Sequence, residues 1–314
     1  MNDKIPSLKL WGYAFGLVFL IAGILFVLVF IDDMNPNRFS NQSLHDIEEA
    51  IKKNNNQTSK ISLVIFGSSL SRNAFANPDV LEKNLSKIFK KDVTVLKIAI
   101  GSLNMDRAEQ SNFFNLVNQY PPDFLFIENN NLNIDYRDTS QQKESFNNSL
   151  DLLIENKLPA LIHLKLKNIK FYLKNIIGIK SSEIIEFLPP SDPFYSNNID
   201  TSKYKTYFLK KGFVRHFSQN EIANKAYEEL NKKNSKIVFL NLPITSCLDS
   251  AYLNPNDRIK MEQLLNYYSY KYNIETWNYP EYLNDSCFSD GAHLNYVGAR
   301  NFDTWFLNKI SATK

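Results

Sequence analysis

Four short runs, each closed by a glycine or by polar residues, constrain this chain more than any other feature. They are 61–66 before Gly67, 93–100 before Gly101, 124–127 before Glu128-Asn129-Asn130-Asn131, and 236–242. All are rich in β-branched and aromatic residues, and none keeps the strict alternation of a sheet with one wet face, so they read as strands buried on both sides. Amphipathic helices are predicted between them at 78–89, 106–120 and 221–232, with Pro121-Pro122 ending the second. Strands alternating with helices predict an α/β fold with a doubly wound parallel sheet. In such sheets the site lies off the C-terminal ends of the strands.

Upstream, residues 1–9 form a polar stub and 10–31 run without a charge. About 20 apolar residues at about 1.5 Å each cross a hydrocarbon core of about 30 Å. A signal peptide is the competing reading, but its apolar region is shorter and ends in small residues, whereas Ile31 precedes Asp32-Asp33-Met34-Asn35-Pro36. The expectation is an uncleaved transmembrane anchor. Lys4 and Lys9 before the span, and Asp32 and Asp33 after it, keep the N-terminus in the cytoplasm and send the rest across the membrane. Residues 32–60 read as a linker whose Leu44, Ile47, Ala50 and Ile51 have helical spacing, and 61–314 as one large domain.

With 36 basic and 33 acidic residues, the net charge of +3 is nearly balanced, and no dense basic block interleaved with aromatics occurs. Nucleic-acid binding is disfavoured. Cys247 and Cys287 both fall in the exported part, where a disulfide is slightly favoured over two buried thiols. No metal-ligand spacing is present and no cofactor is expected. Between about 135 and 218 the strand–helix alternation loosens into an insertion, with helical stretches at 150–154 and 169–179, that could cover the site or meet a partner.

Chemistry concentrates at two places. Gly67-Ser68-Ser69-Leu70-Ser71-Arg72 follows the first strand, and Asp290-Gly291-Ala292-His293-Leu294-Asn295 precedes the last helical stretch, 296–310. A serine hydroxyl needs a histidine in hydrogen-bond reach and a carboxylate to hold that imidazole. Ser69 lies where a strand gives way to a helix, and Asp290 and His293, three apart around a glycine, can converge. Ser68, Ser69 and Ser71 also suit caps or turns. Arg72 could hold an acidic substrate or pair with a carboxylate, the latter being favoured, and Glu128 could be buried beside the site or face solvent. His45, His163 and His216 lack a nearby partner set and read as surface or packing residues.

These motifs, in this order, resemble those of the SGNH (GDSL-like) hydrolase and acyltransferase superfamily, over 61–134 and 236–310. The resemblance implies a flavodoxin-like three-layer fold with Ser69 as nucleophile, His293 as base and Asp290 as its partner. It also implies an oxyanion hole from Gly101 and an asparagine, Asn130 first and Asn129 second. Ser68 replaces the family's aspartate, and Glu128-Asn129-Asn130-Asn131 stands where Gly-x-Asn-Asp is usual. With the anchor, the resemblance implies an O-acyltransferase, O-acetyl in type, acting on a cell-envelope polysaccharide beside a membrane-bound O-acyltransferase partner. A carbohydrate esterase or deacetylase with the same triad, and an inactive subunit of such a complex, are the alternatives.

Overall fold

In the computed structural model the described residues are 8–30, 41–57, 59–101, 103–130, 134–135, 185–186, 214–215, 217, 219–246, 248–249, 255–280 and 282–313. The chain divides into two compact units, Met1–Arg38 with Thr139–Ser181, and Phe39–Asp138 with Ser182–Lys314.

Of the first unit only helix α1, Leu8–Phe30, is described. Its 23 residues extend about 35 Å at 1.5 Å per residue. From Trp11 to Ile21 every residue is exposed. The side chains of Leu8, Leu10, Ala22 and 24–30 lie outside the description, and over the described residues no helix is long and apolar enough to cross a membrane.

The second unit is built on a sheet whose parallel strands are β1 (Ile61–Gly67), β2 (Val93–Ile100), β3 (Phe124–Glu128), β7 (Lys236–Asn241) and β8 (Glu275–Asn278). Among the described residues between β3 and β7 are three two-residue strands, β4 (Ile134–Asp135), β5 (Ile185–Glu186) and β6 (Val214–Arg215). Across the sheet the order is β5-β2-β1-β3-β7-β8, with β5 antiparallel to β2. Numbered along the chain, the parallel strands run 2-1-3-4-5, and the order reverses between β1 and β3, where such sheets form their crevice. The strand at 275–278 escaped sequence reasoning because four residues carry too little periodicity.

Successive residues of each strand point to opposite faces, and both faces are apolar. Val64, Phe66, Ile98, Ile127 and Phe239 pack on helices α2 (Asn41–Asn55), α6 (Phe113–Gln119), α7 (Glu221–Lys232) and α8 (Pro255–Tyr272). Leu63, Ile65, Phe126, Val238 and Trp277 pack on α3 (Ser69–Ala74), α4 (Pro78–Phe89) and α9 (Tyr296–Ala312). The α2 helix, expected as part of a linker, lies against this core, with Ile47 and Ile51 fully buried. The helix expected over 106–120 is two, α5 (Met105–Gln110) and α6, parted where Asn112 takes a left-handed φ of 57°, a conformation asparagine tolerates.

The segment expected as an insertion lies mostly outside the described residues, including 150–154, 169–179, His163 and His216. Its ends meet where β4 pairs with β6, Ile134 opposite Arg215. Cys287 is a buried free thiol accepting from Asn301 Nδ2, not half of a bridge as slightly favoured from sequence, and Cys247 lies outside the described residues.

Candidate functional site

Gly67 ends β1, and the turn to α3 follows at once. Ser68 caps α3, its backbone extended and its Oγ accepting from Leu70 N–H at 3.1 Å. Ser69 is then the first helical residue, at the C-terminal end of a central strand beside the reversal of strand order. On the far side of the chain, Phe288 and Leu294 form a β-bridge, and Ser289 N–H donates to His293 O at 2.8 Å. The loop between them is pulled tight. Asn295 closes it as the cap of α9, accepting from Val297 and Gly298 N–H and donating to Ser286 O. Asn73 of α3 donates to Leu294 O at 3.3 Å, which ties the helix after Ser69 directly to the loop carrying His293.

Residues 224 positions apart meet here: Ser69 Oγ lies 2.7 Å from His293 Nε2, and His293 Nδ1 lies 2.7 Å from Asp290 Oδ2. The other carboxylate oxygen of Asp290 accepts from Ala292 N–H at 2.8 Å and His293 N–H at 2.7 Å. Burial raises the Asp290 carboxyl, but the hydrogen bond from the His293 ring and the two amides outweigh it and hold it below the ordinary range. With the proton on Nδ1 facing this carboxylate, Nε2 is the acceptor for the serine hydroxyl. The arrangement can therefore take a proton from Ser69 as the oxygen forms a bond.

Anion stabilisation at such a site needs open N–H donors. Of the amides in the turn, Ser68 N–H and Ser71 N–H go to the Glu128 carboxylate and Leu70 N–H to Ser68 Oγ, leaving the Ser69 N–H without a partner among the described residues. Gly101 follows β2, the neighbour of β1. Its carbonyl accepts from Arg107 Nη1, and the space a side chain would take there is open.

The two asparagines are differently engaged. Asn130 makes a reciprocal pair with the Leu242 backbone, Nδ2 donating at 2.9 Å and Oδ1 accepting at 2.7 Å. Asn129, buried, donates from Nδ2 to Asn241 Oδ1 at 2.9 Å, and Asn241 in turn donates to Asn278 at 2.5 Å. A row of carboxamides thus runs along the C-terminal edge of the sheet away from Ser69. Arg72 is half-buried and gives its Nε to Asn73 Oδ1. His45 is exposed on α2, as expected of a surface residue.

Two buried charges stand beside the site: Glu128, for which the sequence left burial beside the site and exposure to solvent both open, is buried, and Lys97 was not singled out. Glu128, 1% exposed, ends β3, and the register that sets Phe66 opposite Ile127 brings it level with Gly67. Lys97, 0% exposed, lies on β2 and donates from Nζ to Arg72 O at 3.2 Å and Phe75 O at 3.0 Å, the carbonyls at the end of α3. A charged residue interrupting an apolar run at a strand's inner or C-terminal position was the signal available. Thr245 was a second omission, its Oγ1 donating to Gly291 O at 2.7 Å and so holding the Asp290 loop from the β7 side. No group of metal-ligating side chains occurs among the described residues. No family model, curated protein or solved structure matches the chain.

Proposed function

We propose that this chain is a membrane-anchored, serine-dependent O-acyltransferase, O-acetyl in type, that modifies a cell-envelope glycan outside the cytoplasmic membrane. The observation that carries the reading is the unbroken relay from Ser69 through His293 to Asp290, two contacts of 2.7 Å between residues far apart in the chain. The resemblance to the SGNH superfamily in motif order supports it, as does the open Ser69 N–H beside the nucleophile. For the anchor, the support is the charge-free run 10–31 and the exposed apolar surface of α1.

Ser69 Oγ attacks the donor's acyl carbonyl while His293 Nε2 takes its proton, and Asp290 stabilises the imidazolium. The oxyanion is held by the Ser69 and Gly101 amides and by an asparagine side chain, Asn129 or Asn130. Collapse expels the donor alcohol, which recovers the proton from His293. A sugar hydroxyl then gives its proton to His293 and takes the acyl group from Ser69, regenerating the free serine. Water in place of the sugar makes the same chain an esterase or deacetylase.

The test uses the full-length protein in detergent with p-nitrophenyl acetate, with and without glycan oligosaccharides, following nitrophenolate by absorbance and acetylated sugar by mass. Ser69-dependent acetyl-sugar is the expected result. Acetate alone moves the reading to hydrolysis, and turnover unchanged in Ser69→Ala refutes the serine chemistry and favours a non-catalytic subunit.

A further inference from the structure

We infer that Glu128 is a positioning residue for Ser69: its buried carboxylate shapes the turn that presents the nucleophile and keeps one amide of that turn open. This rests on the serine chemistry proposed above. Burying a carboxylate is costly unless strong donors replace its water. Here the donors come from the two residues that flank Ser69 and its neighbour Leu70. Oε2 accepts from Ser68 N–H at 2.7 Å, Ser71 N–H at 3.1 Å and Ser71 Oγ at 2.8 Å, and Oε1 accepts from Ser68 Oγ at 2.6 Å. Ser68 and Ser71 are themselves buried, at 1% and 0% exposure, so these donors have no water to turn to.

The six residues of α3 are too few to hold a helix by themselves. Glu128 at the start of α3, and Lys97 at its closing carbonyls, bracket it with charges opposite to the partial charges of those ends. Gly67 completes the device. A side chain there would stand 2.7 Å from Glu128 Oε2, so only glycine lets the carboxylate reach the turn. The division of amides follows: residues 68 and 71 bond the carboxylate, residue 70 bonds the cap, and the Ser69 N–H is open among the described residues. These four bonds are to Ser68 and Ser71, the residues on either side of Ser69 and Leu70. Its effect on the reaction runs through the backbone.

Glu128→Gln keeps the side chain's length and removes the charge, and turns one acceptor into a donor facing the Ser68 hydroxyl. The expected result on the full-length protein is a kcat for p-nitrophenyl acetate lower by about 10- to 100-fold, the scale of a misplaced reacting group, with KM changed less than about twofold. Covalent labelling of Ser69 by a fluorophosphonate, in which Oγ displaces fluoride from phosphorus, should slow by the same factor. Glu128→Asp, charged but shorter, should not restore either rate. If Glu128→Gln does not fold, Ser68→Ala and Ser71→Ala, each deleting one hydroxyl donor, should each lower kcat and labelling together. Labelling and kcat at wild-type values in Glu128→Gln overturn the role of Glu128 alone. So does a raised KM with unchanged kcat. A wild-type chain inert to both reagents overturns the serine chemistry and this role with it.

Discussion

Gly67→Ala measures how tightly the nucleophile turn is built. The added Cβ would stand 2.0 Å from Ser71 Oγ, 2.6 Å from Ser71 Cβ and 2.7 Å from Glu128 Oε2. Non-bonded atoms settle at about 3.5 Å, so Ser71 Oγ must retreat by about 1.5 Å and Glu128 Oε2 by about 0.8 Å. Those two atoms are themselves hydrogen-bonded at 2.8 Å, inside a fully buried site with nowhere to re-form the bond. Losing a hydrogen bond to a charged group costs about 1.5–3 kcal/mol, and forcing side chains aside in a packed region about 1–3 kcal/mol more. The sum is about 3–6 kcal/mol, or a fall in melting temperature on the order of 10 °C for a domain of this size. Thermal melting followed by circular dichroism reads the loss, and fluorophosphonate labelling of Ser69 reads the accompanying displacement. Gly67→Ala/Ser71→Ala removes the worst contact and should cost less than the two single changes added, by more than about 1 kcal/mol. A Gly67→Ala chain that melts within about 2 °C of wild type and labels at the same rate would refute the close packing of the turn.

Asp290→Asn removes the carboxylate that fixes the imidazole tautomer, and should lower kcat on p-nitrophenyl acetate by about ten-thousand-fold with the fold intact; a loss under about tenfold counts against the relay. Because the Asp290 pKa is depressed from 3.8, its stabilisation is present above that value and lost as pH falls through the lower folded-state pKa, a loss that acid titration should find missing in Asp290→Asn. Asp303 on α9 has the opposite sign. Burial pushes it up to about 7, against the pull of Lys97, and its Oδ1 has no hydrogen-bond partner. Its contribution is complete below its unfolded value of 3.8 and is lost as pH rises through about 7. At about 1.4 kcal/mol per pH unit, Asp303→Asn should exceed wild type by about 4 kcal/mol near pH 8 and match it near pH 3.5, as read by urea unfolding; a gap that does not change with pH would contradict this.

Most of the sheet was legible because its strands are buried on both faces, and burial writes itself into sequence as apolar runs such as 61–66 and 124–127. The strand at 275–278 and the break in 106–120 were not, since one is too short for a period and the other turns on the backbone of Asn112. Ser69, Asp290 and His293 could be nominated because each follows a strand ending or precedes a helix cap, positions where local sequence and local geometry coincide. Glu128 could be placed beside the site only as one of two alternatives, and Lys97 was visible only as a charge out of place. Nothing in their neighbourhood along the chain says that one faces Ser68 and the other Phe75.

The sequence by itself determined the alternation of strand and helix, and with it the α/β architecture, because side-chain periodicity and turn chemistry act over a few residues. Tertiary structure alone decided that residues 69 and 293 stand 2.7 Å apart and that a carboxylate from β3 holds the turn after β1. Both contacts depend on the order and register of parallel strands. Those are set by the packing of whole helices across the sheet and leave no short-range trace in the chain.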